Sequence, residues 1–224
     1  MEHPFPHRFI AIEGNIGAGK TTFAKMLERD YQAHLVLEQF TDNPFLPFFY
    51  ENPDRYAFPV ELFFMTERHK QLQEEIAQQQ LFQQLLVSDY YFIKTLLFAQ
   101  NNLRAEEFRL FQRLFHILNN SFPQPNLLVY LHRTIPNLLQ NIKNRGRAYE
   151  QQIEGTYLES LQVAYFNYFR SKPNIPILIL TIENVAFWED EAAYRQMVEL
   201  LTQTYAPGVH RATVEPQNGA EITS

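Results

Sequence analysis

The stretch RFIAIEGNIGAGKTTF, residues 8–23, limits what this chain can fold into more than any other part of it. A short apolar strand runs straight into three glycines, and a lysine and two threonines follow where a helix should begin. Gly14-Asn15-Ile16-Gly17-Ala18-Gly19-Lys20-Thr21 fits the pattern G-x-x-x-x-G-K-[ST] throughout. Glycine lets the backbone turn tightly, so that successive N–H groups point inward at phosphate oxygens. The helix N-terminus adds partial positive charge to the same concavity. Lys20 is placed to neutralise β- and γ-phosphates and the Thr21 hydroxyl to hold Mg²⁺, with Thr22 next in the first turn. The loop therefore predicts binding of a nucleoside triphosphate such as ATP. It leaves the acceptor open, because hydrolases that transfer to water carry the same loop.

Further apolar runs at 35–37, 85–87, 127–131 and 177–180 join 9–12 as candidate strands, with stretches of helical spacing between them. That alternation predicts βαβ units and a parallel sheet covered on both faces. The expected architecture is α/β: a three-layer P-loop fold with five parallel strands, helices on both faces and ligands at the carboxyl ends. The segment 53–80 reads as one long helix, since Leu72, Ile76 and Leu81 keep an apolar stripe through its glutamine-rich second half. SFPQPN at 121–126 and SKPNIP at 171–176 read as loops that break before strands. Beyond Ala206 the periodicity ends, so 1–205 is expected as one domain and 206–224 as a loose tail.

Composition removes several classes. A net charge of −6 argues against a protein that grips a nucleic-acid backbone, which requires a basic footprint. With no cysteine there is no disulfide and no thiolate metal site, which suits a cytoplasmic location. No segment offers the roughly 18 apolar residues of a membrane span. MEHPFPHRF holds no apolar core of signal-peptide length. The 20 Phe and 12 Tyr require that part of the core, or a pocket, be lined with rings.

Three longer stretches carry a resemblance. IEGNIGAGKTTF, LEQFTDNPFLPFFYENPDRYAFPVELFF and NRGRAYEQQIEGTYL resemble the deoxyribonucleoside kinases, in particular the bacterial deoxyadenosine/deoxyguanosine kinase branch, over residues 9–205. The resemblance implies nucleotide salvage: transfer of a phosphoryl group from ATP, with Mg²⁺, to the 5′-hydroxyl of a deoxynucleoside. It also implies a homodimer, with the long helix and an aromatic helix at 106–118 packed across a two-fold axis. Residue by residue, it places Glu38 beside the 5′-hydroxyl, Tyr50 and Glu150 at the sugar 3′-hydroxyl, and Phe98 against the base. Arg145 and Arg147, around Gly146, match a lid over the phosphates, where guanidinium groups stabilise charge on the phosphoryl in flight. TIENVAFWED matches the segment that covers the donor base.

Two departures from the family pattern bear on mechanism and selectivity. Where most of the family ends its third strand with an acid-Arg-Ser triplet, this chain reads Ser88, Asp89, Tyr90. The acid remains and the arginine is absent. Asp89 is a candidate Mg²⁺ ligand, or a base in rivalry with Glu38, and Lys94, one turn beyond Tyr90, is a candidate replacement cation. At the position where the family usually has a base-reading glutamine, this chain has Glu61. An ionised carboxylate only accepts hydrogen bonds. Guanine offers two adjacent donors to it, whereas adenine offers one. Arg68, two helical turns on, could donate to a purine O6 or N7, or pair with Glu61. The expected acceptor is a purine deoxynucleoside, deoxyguanosine ahead of deoxyadenosine. A nucleoside-monophosphate kinase of thymidylate type would need cations for the acceptor phosphate, and Tyr50 with Glu150 offers the wrong sign. A nucleotide-binding module with little turnover is the other alternative, made credible by the missing arginine.

Overall fold

The computed structural model describes residues 4–38, 43–82, 85–119, 123–171 and 174–216. Among these residues six strands form one sheet in the order β2-β3-β1-β4-β5-β6, every neighbouring pair parallel. They are β1 Phe9–Gly14, β2 His34–Val36, β3 Leu86–Ser88, β4 Leu127–His132, β5 Pro176–Ile182 and β6 Gly208–Val214. The first five lie where the apolar runs predict them, each within about two residues.

Alternation along the strands builds two cores, one on each face. On β1, Ile10 and Ile12 face one layer while Phe9 and Ala11 face the other. On β4, Leu127, Val129 and Leu131 join the first, and Leu128 and Tyr130 the second. The first layer is closed by helices α1 Lys20–Tyr31, α6 Ile135–Arg145 and α8 Glu191–Leu201, through Phe23, Leu27, Leu138, Ile142 and Met197. The second is closed by α3 Pro53–Phe82, α4 Ile93–Asn102, α5 Ala105–Asn119 and α7 Gly155–Arg170, through Met65, Leu97, Phe111, Phe115 and Tyr165. This ring-lined layer accounts for much of the aromatic content. A short helix α2, Leu46–Glu51, packs with α3 around Phe49 and Val60. The long helix predicted at 53–80 is present as α3.

The sixth strand corrects the expectation of five strands and of a loose tail from Ala206. β6 pairs with β5 along its whole length, from Pro176 opposite Gly208 to Ile182 opposite Val214. It is an edge strand with partly exposed residues, so it lacks the unbroken apolar run that marks a strand buried on both faces. Residues 217–224 lie outside the described part. Among the described residues no helix is long and apolar enough to cross a membrane.

The chain runs from β1 toward the β3–β2 edge and resumes on the other side with β4. Connections therefore diverge at β1, and the loop that follows it opens where such sheets bind ligands.

Candidate active site

The phosphate loop occupies that opening, between β1 and α1. Gly17 shows why the motif needs glycine. Its φ is +82°, and an added Cβ would stand 2.7 Å from the Leu138 carbonyl oxygen of α6. Gly14 approaches β4 just as closely, since a Cβ there would meet the Leu131 carbonyl oxygen at 2.8 Å. Side chains from several elements fix the loop. Asn15 Nδ2 donates to Leu158 O at 2.7 Å while its Oδ1 accepts from Ile16 N. Asn141 Nδ2 donates to Gly17 O, and the buried Arg133 donates to Ala18 O and Val185 O. The N-cap of α1 is Gly19, which brings no side chain to cap the helix, so the first-turn N–H groups remain available to an anion.

Lys20 Nζ donates to Gly14 O and Asn15 O, both at 2.9 Å, and so lies back along its own loop. Burial and the neighbouring Lys94 ammonium lower its pKa to about 8, against the pull of Glu13, Glu38 and Asp89. Lysine in that state gains an anionic ligand readily. The Thr21 hydroxyl donates to Asp89 Oδ2, and Asp89 Oδ1 accepts from the Glu38 N–H at 2.7 Å. Residues far apart in sequence thus form one chain from the loop to the end of β3 and of β2. A hydroxyl and a carboxylate are hard oxygen donors that fit Mg²⁺, an ion that keeps several waters and takes one or two protein ligands beside phosphates. Among the described residues no three His, Cys, Asp or Glu side chains gather into a metal cage.

Glu38 lies beside this pair with both oxygens engaged. Arg68 Nε donates to its Oε1 at 2.9 Å and Arg68 Nη2 to the same atom, while Lys94 Nζ donates to Oε2. Burial alone would raise the Glu38 pKa. Lys94 and Arg68 outweigh it and hold the carboxyl well below its ordinary range. Arg68 Nη1 donates to Thr95 Oγ1, so its hydrogen bonds go to Glu38 and Thr95, and Glu61 feels only its charge. Lys94 also stands over the Phe98 ring, 5.3 Å from its centroid.

One pocket gathers the remaining candidates: Lys20, Thr21, Glu38, Tyr50, Glu61, Arg68, Asp89, Lys94, Phe98, Arg145, Arg147 and Glu150 all line it. An adjoining cleft continues past Gly17, Gly19 and Thr22 to Asn141 and Trp188, in the segment matched to a donor-base cover. Arg145 Nη2 and Arg147 Nη1 both donate to the Glu150 carboxylate, at 2.5 and 3.2 Å. Tyr50 stacks on Tyr149, with an interplanar angle of 14°. The pair expected at the sugar and the pair expected on the lid therefore form one unit. Glu61 is buried, at 2% exposure, with Oε1 accepting from Asn102 Nδ2 at 2.6 Å and Oε2 without a hydrogen-bond partner among the described residues. Burial outweighs the attraction of Arg68 and raises its pKa to about 7.

Asn102 and Tyr157 also line the pocket and were not singled out from the sequence. Asn102 follows Phe98 by one helical turn, a spacing that puts both on one face of α4. Tyr157 sits in EGTYL, inside a stretch already noted for its pattern.

A strand-loop-helix phosphate cradle that shares one pocket with acids and rings, beside a parallel sheet, defines a P-loop phosphotransferase with an organic acceptor. The sequence model of the deoxynucleoside kinases matches residues 10–205. Deoxyguanosine kinase of Bacillus subtilis is 36% identical over 174 residues, covering 76% of this chain and 84% of that protein. Deoxyadenosine/deoxycytidine kinase of the same organism is 27% identical over 209 residues, covering 88% and 94%. The fold matches deoxyadenosine kinase from M. mycoides, solved with bound dCTP, at a TM-score of 0.71 and 20% identity, over 85% of this chain and 99% of that one. The chain belongs to the deoxynucleoside kinase family, in its bacterial deoxyadenosine/deoxyguanosine kinase branch, and is a deoxynucleoside kinase.

Proposed function

We propose that the protein transfers the γ-phosphoryl group of ATP to the 5′-hydroxyl of a purine deoxynucleoside, deoxyguanosine ahead of deoxyadenosine. The observation that carries this reading is a single pocket in which Lys20 and Thr21 meet Tyr50, Glu61 and Glu150. The 36% identity to a deoxyguanosine kinase points the same way.

In this reading the loop N–H groups and Lys20 hold the donor phosphates. Thr21 and Asp89 would hold Mg²⁺, which supplies charge neutralisation on the phosphate oxygens. The 5′-oxygen attacks the γ-phosphorus, the bond to the ADP oxygen breaks, and the hydroxyl proton passes to Glu38. The depressed pKa keeps Glu38 ionised throughout the neutral range, as a proton acceptor must be. Its hold on Lys94 gives that ammonium a position beside the phosphates where the arginine of the wider family is absent. Arg145 and Arg147, oriented by Glu150, close on the triphosphate, and Glu150 with Tyr50 takes the 3′-hydroxyl. Phe98 packs on the base and Glu61 reads its edge.

The test is kcat/KM for the four deoxynucleosides with ATP and with GTP as donor. A pyrimidine preference would overturn the acceptor reading. Glu61→Gln is expected to move selectivity away from guanine by about 1–3 kcal/mol, the range of a good bidentate base contact.

A further inference from the structure

We propose that Glu61 selects between the two purines by its own protonation state, taking guanine when ionised and adenine when it carries a proton on Oε2. The inference rests on the purine reading above. Its geometric basis is the unequal treatment of the two carboxylate oxygens. Asn102 Nδ2 donates to Oε1 at 2.6 Å, so Oε1 is an acceptor in either state. Oε2 is buried and has no hydrogen-bond partner among the described residues, so it is the atom on which a proton can reside without breaking a hydrogen bond.

The two states present different patterns to a base. With both oxygens accepting, the carboxylate matches the N1–H and N2–H₂ donors of guanine. With Oε2 protonated, one atom donates and its neighbour accepts, the pattern of a glutamine side chain. That pattern matches the N1 acceptor and N6–H₂ donor of adenine.

The surroundings leave this proton free to come and go. On α3 itself, Arg68 is engaged by Glu38 and Thr95. From α4, Lys94 is engaged by Glu38. Glu38 adds like charge from the end of β2, and Tyr50 on α2 and Tyr157 on α7 are neutral hydroxyls whose own pKa values burial raises. Arg145, Arg147 and Glu150 line the far side of the pocket as a mutually paired group. Among the described residues no cation donates a hydrogen bond to Glu61, and its pKa of about 7 falls within the working range of an enzyme.

The experiment is kcat/KM for deoxyguanosine and deoxyadenosine from about pH 5.5 to about pH 8.5, a span across which neither purine titrates. Because one base requires the proton and the other excludes it, the guanosine-to-adenosine ratio should rise about tenfold per pH unit. In Glu61→Gln the ratio should stay level and favour adenine. Calorimetry in two buffers of different ionisation enthalpy gives a readout without turnover. Near neutral pH, deoxyguanosine should bind with proton release and deoxyadenosine with proton uptake, and the difference should vanish in Glu61→Gln. A purine preference with a level ratio in the wild-type protein overturns this inference alone. A pyrimidine preference at every pH overturns the purine reading together with it.

Discussion

Lys94 Nζ donates to Glu38 Oε2 at 2.5 Å, with Arg68 on the other oxygen of the same carboxylate. A single acid thus holds two buried cations at the mouth of the phosphate loop. Lys94 is also the strongest charged neighbour acting on Lys20, so the two ammonium groups repel in the absence of an anion. Phosphate binding would relieve that repulsion. Lys94→Met is therefore expected to lower kcat by about 10²–10³-fold, the scale of one lost transition-state donor, with KM for the deoxynucleoside changed far less. Lys94→Arg should restore most of the rate. Steady-state kinetics of the two variants check this, and a Lys94→Met enzyme at wild-type speed would remove Lys94 from the phosphate site.

Glu38 and Asp89 separate by what they touch. Asp89 accepts from Thr21 in the loop, whereas Glu38 faces Lys94 and Arg68. Asp89→Asn should shift the Mg²⁺ concentration for half-maximal rate upward by about tenfold or more, as expected when a carboxylate ligand is lost. Glu38→Gln should lower kcat by about 10²–10⁴-fold, the usual share of a general base, and leave the Mg²⁺ dependence in place. Mg²⁺ titrations of both variants decide the assignment, and a displaced curve for Glu38→Gln with an unmoved one for Asp89→Asn would reverse it.

The parts of this site that could be read from the sequence are those built by neighbours in the chain. The phosphate loop is local: strand, glycines, lysine and threonine lie within fourteen residues of one another in 8–21, and the fold obeys them. Four strands were legible because burial on both faces demands continuous apolar runs, and β2, at the opposite edge, because Leu35 and Val36 keep a short apolar run. β6 was not, because an edge strand mixes His210, Arg211 and Thr213 with its apolar residues. The partner of Arg68 was hidden for a different reason. Helical spacing placed it on the face of Glu61, but a carboxylate thirty positions earlier offered both a charge and close geometry. The same holds for Asn102, whose contact with Glu61 depends on how α3 packs against α4.

Burial of Glu61 also has a cost in the unliganded protein, and its sign can be worked out. The folded-state pKa, about 7, lies above the ordinary value of 4.5. Between these values the folded chain holds more protons than the unfolded one, so stability falls as pH rises through that window. The full effect is on the order of 3 kcal/mol, reached above the folded-state pKa. Glu61→Gln should therefore melt several degrees above the wild-type protein at about pH 8, with the gap closing toward about pH 5. Thermal melts across that range without ligand give the comparison. A gap independent of pH would mean that Glu61 keeps its charge when buried.

Tyr50 and Glu150 offer a test in which the substrate, as well as the protein, is altered. The Tyr50 hydroxyl has its pKa raised by burial and by the Glu150 charge, so it stays neutral and able to donate. Glu150 accepts from Arg145 and Arg147, so its removal loosens the lid as well as the sugar site. Tyr50→Phe should lower kcat/KM for a deoxynucleoside about tenfold, the loss of one buried hydrogen bond, and leave a 2′,3′-dideoxynucleoside unaffected. Glu150→Gln should lower kcat/KM for both substrates, because in the proposed mechanism the arginines it orients act on the phosphates whichever sugar is present. The two variants with the two substrates form a thermodynamic cycle. An equal loss for both sugars in Tyr50→Phe would show that the hydroxyl orders the Tyr149 stack and does not touch the substrate.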